Sequence, residues 1–467
     1  MARLDQNSGS AARWSRRAAV LFLTALFALN VYRAATQSFT TDEGYSWRLY
    51  IRPGPFNIFR EYDANLHVLH TLLTWVSVRL FGLSELTFRI PSLLAGGAYF
   101  AAVYRLCVLA LGESPMFLVG TCLLTLNPLI EDHMSLGRGY GLALAFFAWA
   151  FVEALESLKH QRCWPRLAIF LALSVAANLT FLFPVVALLA IVTLLGLRTG
   201  SSFMVITREL LGPWLVLTFL FLVLPFSNME PGQFYFGSDT IPGFAQTLLE
   251  PSIGDRHISL TLVTAIAALA FAGCAGAAVV MWRRLAAGTD VALLATGTFT
   301  LTACIVVASH VLLGVMYPFA RTGLYFLFLL PLCLLPLARW RTGAGAVALL
   351  SMAMAQGIRA DRYMEWPFDA SSRDIIAQIQ SRHTAGGPPV RILCIRPLGW
   401  ALVLYRAMYR LDWISEIEWN RWERGFDYYV LHPGDRDRVA EFDLRELFTG
   451  PVSGTILAAP ASEGVQH

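Results

Sequence analysis

The stretch LHVLHTLLTWVSVRLFGL, residues 66–83, is apolar enough to pass for a membrane span, and the topology of the whole chain turns on whether it is one. It carries His67, His70 and Arg79. A charge held at the centre of a spanning helix costs about 2.5–3.5 kcal/mol on insertion scales, which disfavours Arg79 at mid-membrane. The segment therefore reads as an amphipathic helix lying in the outer interface.

Outward from it, about 20 mostly apolar residues are needed for each span. Candidates are 18–36, 89–111, 115–131, 139–158, 166–182, 183–198, 211–227, 258–281, 291–316, 323–338 and 343–358. The first follows Arg13, Arg16 and Arg17 and is expected to stay as an anchor, because no small-residue cleavage site ends it. Cytoplasmic loops are rich in Arg and Lys. With the N-terminus inside, Arg105, the Lys159–Arg162–Arg166 cluster, Arg198 with Arg208, Arg283–Arg284, and Arg339 with Arg341 fall inside. Asp42–Glu43, Glu131–Asp132 and the loop from Glu230 to Asp255 fall outside. Counting 66–83 as a span would invert every later loop. The expectation is about eleven transmembrane helices in an α-helical polytopic membrane protein, over residues 1–358, with an outer loop 37–88 that holds the interfacial helix.

Composition agrees. The 467 residues are 56% hydrophobic and 15% charged, with a mean hydropathy of +0.55. Soluble domains carry about 25% charged residues, and disordered chains lack the 13% aromatics found here. The net charge of +4 comes almost wholly from arginine spread over helix ends, so no nucleic-acid partner is implied. The seven cysteines show no metal-ligand spacing. Cys122, Cys274, Cys304 and Cys333 lie inside apolar runs, where a thiol is a small hydrophobe.

From about residue 359 charges become frequent and apolar runs shorten to strand length: Val390–Cys394, Tyr428–Leu431 and Thr455–Ala458. A helix-like stretch, 399–410, lies between the first two, and Pro388–Pro389 marks a turn. Residues 359–467 are expected to form a small C-terminal α/β domain outside the cytoplasm.

Polar residues able to carry chemistry collect on the expected outer face. Asp42 and Glu43 open the loop after the first span, followed by Tyr45 and Trp47. They read either as solvated loop charges or as a general base at the edge of a low-dielectric site. Glu131-Asp132-His133 followed by Arg138-Gly139-Tyr140 reads either as interfacial anchoring or as a site. Carboxylates with an imidazole suit Mg, Mn or Zn, although consecutive helical residues point in different directions. Arg321 reads as a snorkelling helix-end arginine or a phosphate ligand. His67 lies nearer the acidic loop than His70 and is the better site candidate.

These stretches resemble the GT-C membrane glycosyltransferases, the group that holds protein O-mannosyltransferases, lipid A aminoarabinose transferases and their bacterial relatives. The resemblance rests on Asp42-Glu43-Gly44-Tyr45-Ser46-Trp47, on Asn65-Leu66-His67 running on to Phe88-Arg89-Ile90-Pro91-Ser92, and on Arg138-Gly139-Tyr140 after Asn127-Pro128. It covers roughly residues 36–160, with weaker agreement around Arg321-Thr322-Gly323-Leu324-Tyr325. Many relatives carry His-Pro-Pro where this chain reads His67-Val68-Leu69.

The resemblance implies transfer of a sugar from a polyprenyl-phosphate donor to a glycan, lipid or protein acceptor at the outer membrane face, and the short loops point to a bacterial plasma membrane with the site facing the periplasm or exterior. Asp42, or its neighbour Glu43, would be the base. Glu131 or Asp132, with His67, would hold the acceptor or a divalent cation (Mg, Mn or Zn). Arg138, Arg321 and Tyr140 would meet the donor phosphate. A single displacement with one base inverts the anomeric carbon. The rival readings are a secondary transporter or lipid-linked sugar flippase, which would place ionisable groups at the bilayer midplane in repeated halves, and a scaffold that does not depend on Asp42.

Overall fold

The computed structural model describes residues 2–60, 63, 65–160, 164–230, 236–284, 290–395, 398–419 and 422–461. Arg162, expected in an inner-face cluster, lies outside the described residues, as do residues 231–235 of the expected outer loop. Helices dominate: α1 (Ala2–Thr36), α2 (Thr41–Ser46), α3 (Val68–Phe81), α4 (Glu85–Leu111), α5 (Phe117–Thr125), α6 (Pro128–His133), α7 (Gly139–His160), α8 (Trp164–Ala177) and α9 (Leu182–Arg198). Then come α10 (Phe203–Ile206), α11 (Gly212–Ser227), α12 (Ile241–Ser252), α13 (Leu260–Arg284), α14 (Val291–Leu313), α15 (Leu324–Leu334) and α16 (Arg341–Ala355). The C-terminal part holds α17 (Ser372–Arg382), α18 (Gly399–Tyr409), α19 (Asp437–Glu441) and strands β1 (Val390–Cys394), β2 (Ile414–Trp419), β3 (Tyr428–Leu431), β4 (Leu444–Thr449) and β5 (Ile456–Pro460).

Among the described residues, eight helical segments are long and apolar enough to cross a membrane: Ser10–Thr36, Glu85–Leu111, Gly139–His160, Leu179–Arg198, Phe203–Val223, Leu260–Arg283, Val291–Leu313 and Ala320–Arg339. These account for eight of the eleven expected spans. The other three stretches hold the shorter helices α5, α8 and α16, the first two for reasons visible locally. Asn127 accepts hydrogen bonds from Leu129 N and Ile130 N, which ends the run 115–131 early and starts α6 with Pro128 in its first turn. Asn178 does the same between α8 and α9, accepting from Thr180 N. The 14-residue α3 is about 21 Å long, short of the roughly 30 Å hydrocarbon core.

The chain sorts into two compact units. The first comprises Met1–Val31, Phe59–His70 and Pro91–Ile358. Its core is continuous and aromatic-rich, with Tyr99, Phe147, Phe151, Phe181, Tyr325 and Phe328 buried together. The second comprises Tyr32–Ile58, Thr71–Ile90 and Arg359–His467, so the Asp42 loop belongs to the same unit as the C-terminal sheet.

That sheet has the order β2-β1-β3-β5-β4, with β1 parallel to β2 and β3, and β5 antiparallel to β3 and β4. The parallel β1–β2 pair needs a crossover, which α18 supplies. Strands β1, β3 and β5 coincide with the three apolar runs in the sequence. The other two strands sit at the edges, where charge is favoured because it blunts pairing with other chains. Glu416 and Glu418 on β2, and Arg445 and Glu446 on β4, hide them from an apolar search. One core of this unit joins Phe39, Ile51 and Phe88 to Ile375, Ile392, Leu402, Tyr405 and Val430.

Candidate active site

Each unit contains one polar corner, and between them these corners hold most of the residues expected to carry chemistry.

In the second unit, α2 begins with a capping box. Thr40 takes the N-cap, its backbone N–H donates to Glu43 Oε2 at 2.8 Å, and its hydroxyl accepts from Glu43 N at 3.4 Å. Arg89 then takes the rest of that carboxylate, with Nε donating to Oε1 and Nη2 to Oε2, both at 2.7 Å. Its remaining donors reach the carbonyls of Ala34 (3.2 Å), Gln37 (2.7 Å) and Ser38 (2.8 Å), so all five N–H groups of the guanidinium are used. Both side chains of this ion pair are fully buried. The guanidinium also lies over the rings of Phe39 and Tyr363, at 5.5 and 5.3 Å.

Asp42, next to it on α2, is 8% exposed. Asp369 accepts from Thr41 N at 2.6 Å and Thr41 Oγ1 at 3.1 Å. Burial, with the nearby charges of Asp42 and Glu43, holds the Asp369 carboxyl well above the usual carboxylate range. A fourth acidic group, Glu85, is bound by Arg373 at 2.7 Å and by the Tyr405 hydroxyl at 3.1 Å. That hydroxyl in turn accepts from Phe39 N. Gly44 has no room for a side chain: a Cβ there would stand 2.1 Å from the carbonyl oxygen of Trp400 on α18.

In the first unit, Glu131 on α6 accepts from Asn30 Nδ2 at 2.9 Å and is fully buried, as is His133; Asp132 is 2% exposed. Tyr140 stands between two histidines, with ring centroids 4.9 Å from His67 and 4.8 Å from His133. The glycines on either side of it permit this. A Cβ on Gly139 would lie 2.1 Å from Ala177 O, and one on Gly141 2.0 Å from His133 O. Arg138 donates to Asn65 Oδ1 at 2.5 Å. His67 is buried, and its Nε2 has no hydrogen-bond partner among the described residues. Burial pushes its pKa well below the ordinary value, helped by the charges of Arg138, His70, Arg321 and His133. Burial also lowers His70, to about 3; its Nε2 lies 3.0 Å from Ser92 Oγ, which donates to Leu136 O. Arg321 is half-buried over the ring of Phe236 at 4.9 Å. Its charge reaches His67, so the structure brings Arg138, Arg321, His67 and Tyr140 into one neighbourhood, although Arg321 is about 180 residues further along.

No protein-family profile and no curated protein sequence matches the chain. Among solved structures it is similar to ArnT from Cupriavidus metallidurans. The likeness to the crystal structure of ArnT bound to undecaprenyl phosphate has a TM-score of 0.48 at 13% identity, covering 96% of this chain and 99% of that one. For the crystal structure of ArnT in the apo state the TM-score is 0.48 at 14% identity, with the same coverage of both chains.

Among the described residues no three His, Cys, Asp or Glu side chains gather as a metal ion needs. The tandem Glu131-Asp132-His133 therefore does not fit a three-ligand cation site, because its members leave the short helix α6 in different directions. Arg89, Asp369, Glu85 and Tyr405 were not singled out as site residues from the sequence. Arg89 stands inside the Phe88–Ser92 motif and was legible as a member of it. Asp369 has no local signal, since its partner Thr41 is 328 residues away.

Proposed function

We propose that this protein is a membrane glycosyltransferase that moves a sugar from a polyprenyl-phosphate donor to an acceptor at the outer face of the membrane, with Asp42 as the general base. The observation that carries the choice of base is the fate of Glu43. Both oxygens of its carboxylate are held by Arg89, and one also caps α2. A carboxylate so bound has its acceptor sites taken up by a structural ion pair. Asp42 stands one residue away on α2, 8% exposed, beside Glu43 and Asp369.

In this reading Asp42 takes the proton of an acceptor hydroxyl or amine as it attacks the anomeric carbon. The polyprenyl phosphate departs from the opposite side, and configuration inverts. Arg138 and Arg321 neutralise charge on the leaving phosphate, and their shared influence on His67 supports that pairing. His67, kept neutral by burial and by those arginines, accepts or donates a hydrogen bond without adding charge. Tyr140, wedged between His67 and His133, sets the orientation of the His67 ring. Glu131 and Asp132 hold the acceptor, with Glu131 fixed by Asn30. Residues 1–358 would supply the spans and the donor-phosphate groups, and residues 359–467 the small outer domain.

The test is turnover by purified protein in nanodiscs, with a panel of polyprenyl-phosphate sugars and a membrane-extract acceptor pool. Wild type should consume one donor and release free polyprenyl phosphate, while Asp42→Asn stays folded and inert. Equal consumption by both proteins would remove Asp42 as the base. Movement of a donor between leaflets with its sugar still attached would point to a flippase instead.

A further inference from the structure

We infer that Tyr45, Arg48, Trp400 and Trp419 form a platform for a saccharide ring, and that the acceptor is therefore a carbohydrate-bearing molecule. The inference rests on the transferase reading for the word acceptor, but the binding it predicts can be measured without turnover.

All four residues belong to the second unit. The Tyr45 ring meets Trp400 edge-on, with centroids 5.1 Å apart and planes at 74°. Trp400 and Trp419 lie 4.5 Å apart at 44°. The Arg48 guanidinium stands over both indoles, 5.4 Å from Trp400 and 5.3 Å from Trp419. The three aromatic residues are only half-buried, and Arg48 is exposed. Trp419 packs against the core of this unit, whereas Tyr45 and Trp400 are half-buried aromatics that belong to no core cluster among the described residues and stand beside an exposed cation.

Two glycines hold the arrangement together. Gly44 lets the backbone of α2 touch the Trp400 carbonyl. A Cβ on Gly399 would lie 2.9 Å from the Trp419 ring. Trp400 is thus tied by direct backbone contact to the helix that carries Asp42. Asp42 and Tyr45 are three residues apart on α2 and share a face, so the aromatic surface begins one helical turn from the proposed base.

The chemistry fits a sugar better than other ligands. One face of a pyranose carries axial C–H bonds that are polarised positive, and these rest on the negative face of an aromatic ring as a cation does. The ring's rim carries hydroxyls, which the five-donor fork of Arg48 can meet, along with any acidic substituent. A ligand stacked here would present its own hydroxyl or amine towards α2.

The experiment is saturation-transfer NMR on the full-length protein in nanodiscs, using methyl glycosides of a hexose, an N-acetylhexosamine, a deoxyhexose and a uronic acid. Wild type should transfer saturation to the ring C–H protons of at least one of them. Binding of that glycoside should weaken about tenfold in Trp400→Ala and in Trp419→Ala, the size of one lost stacking contact. It should persist in Trp400→Phe, which keeps a ring, and in Asp42→Asn. Arg48→Gln, at an exposed position where folding is not at stake, should also weaken it. Once the donor is known, KM for the acceptor should rise in the Trp variants while KM for the donor stays put. No saturation transfer in wild type, or equal transfer in wild type, Arg48→Gln and the Trp variants, would overturn the platform and leave the cluster as a membrane-interface anchor. Glycoside binding that depends on Trp400, together with an active Asp42→Asn, would keep the platform and overturn the base.

Discussion

Around Glu43 every donor of Arg89 is engaged, and the carboxylate, the helix cap and three backbone carbonyls close one buried network. Around Tyr140 the burial is just as deep, yet the His67 ring keeps an Nε2 with no hydrogen-bond partner among the described residues. A buried polar group left unmade costs stability, so the two corners differ in how far their polar groups are paired within the protein. Burial alone does not tell a working residue from a structural one.

The sharpest way to break that contrast is to open the closed corner. Arg89→Leu leaves the Glu43 carboxylate buried and uncompensated, a loss of about 3–5 kcal/mol. The variant should lose its monodisperse peak in fluorescence-detected size exclusion at temperatures wild type survives. Glu43→Gln should behave similarly. If either variant is as stable as wild type, the Glu43–Arg89 pair is not the clamp described here.

Next in size is the contrast within α2 itself. Asp42→Asn should cut turnover by about 10²–10⁴-fold, the range for losing a general base, with an unchanged melting temperature. The two neighbours would then separate cleanly, one variant folded and inactive, the other unstable. Loss of stability in Asp42→Asn would move Asp42 into the architecture.

A smaller effect compares the two corners by the same substitution. Gly44→Ala and Gly139→Ala each drive a methyl to 2.1 Å from a backbone carbonyl oxygen, and each should cost at least about 1–3 kcal/mol by overpacking. Gly273→Ala, where a Cβ meets nothing within 4 Å, should be nearly neutral in the same thermal assay. Equal melting temperatures for all three would show that the backbone contacts at Gly44 and Gly139 are loose.

The gentlest test is pH. His67 and His70 have folded pKa values below the ordinary 6.5. Below about pH 6.5 the unfolded chain binds protons that the folded chain refuses, so stability falls as pH drops, by at most about 1.4 kcal/mol per pH unit for each histidine. Asp369, with its folded pKa raised, tilts the other way: its contribution is largest in acid and is lost as pH rises above the unfolded value of 3.8. Melting temperature measured from pH 7 to pH 5 should therefore fall less steeply in His67→Gln than in wild type. Equal slopes would mean that His67 titrates normally and that its site is open to water.

The membrane class, most of the spans and three of the five strands were readable from the chain, because each depends on local hydropathy along a run of residues. The motif that holds Asp42, the one with Arg138-Gly139-Tyr140, and Arg321 stand out in the chain for a related reason, as charges stranded beside apolar segments, and the roles given to them are part of the proposal. Asn127 and Asn178 could have been read as helix caps, and their small interruptions shorten two of the expected spans. The charged edge strands β2 and β4 were hidden, since an edge needs one apolar face at most. What only the tertiary structure decided is which charges are satisfied. Glu43 is paired because Arg89, 46 residues on, is folded against it, and the start of α2 is held at Thr41 by Asp369, more than 300 residues on. The same holds for Trp400, whose place beside Tyr45 follows from a missing Cβ at Gly44. Hydropathy is a property of a segment, whereas the pairing of a buried charge is a property of the distant groups that fold against it.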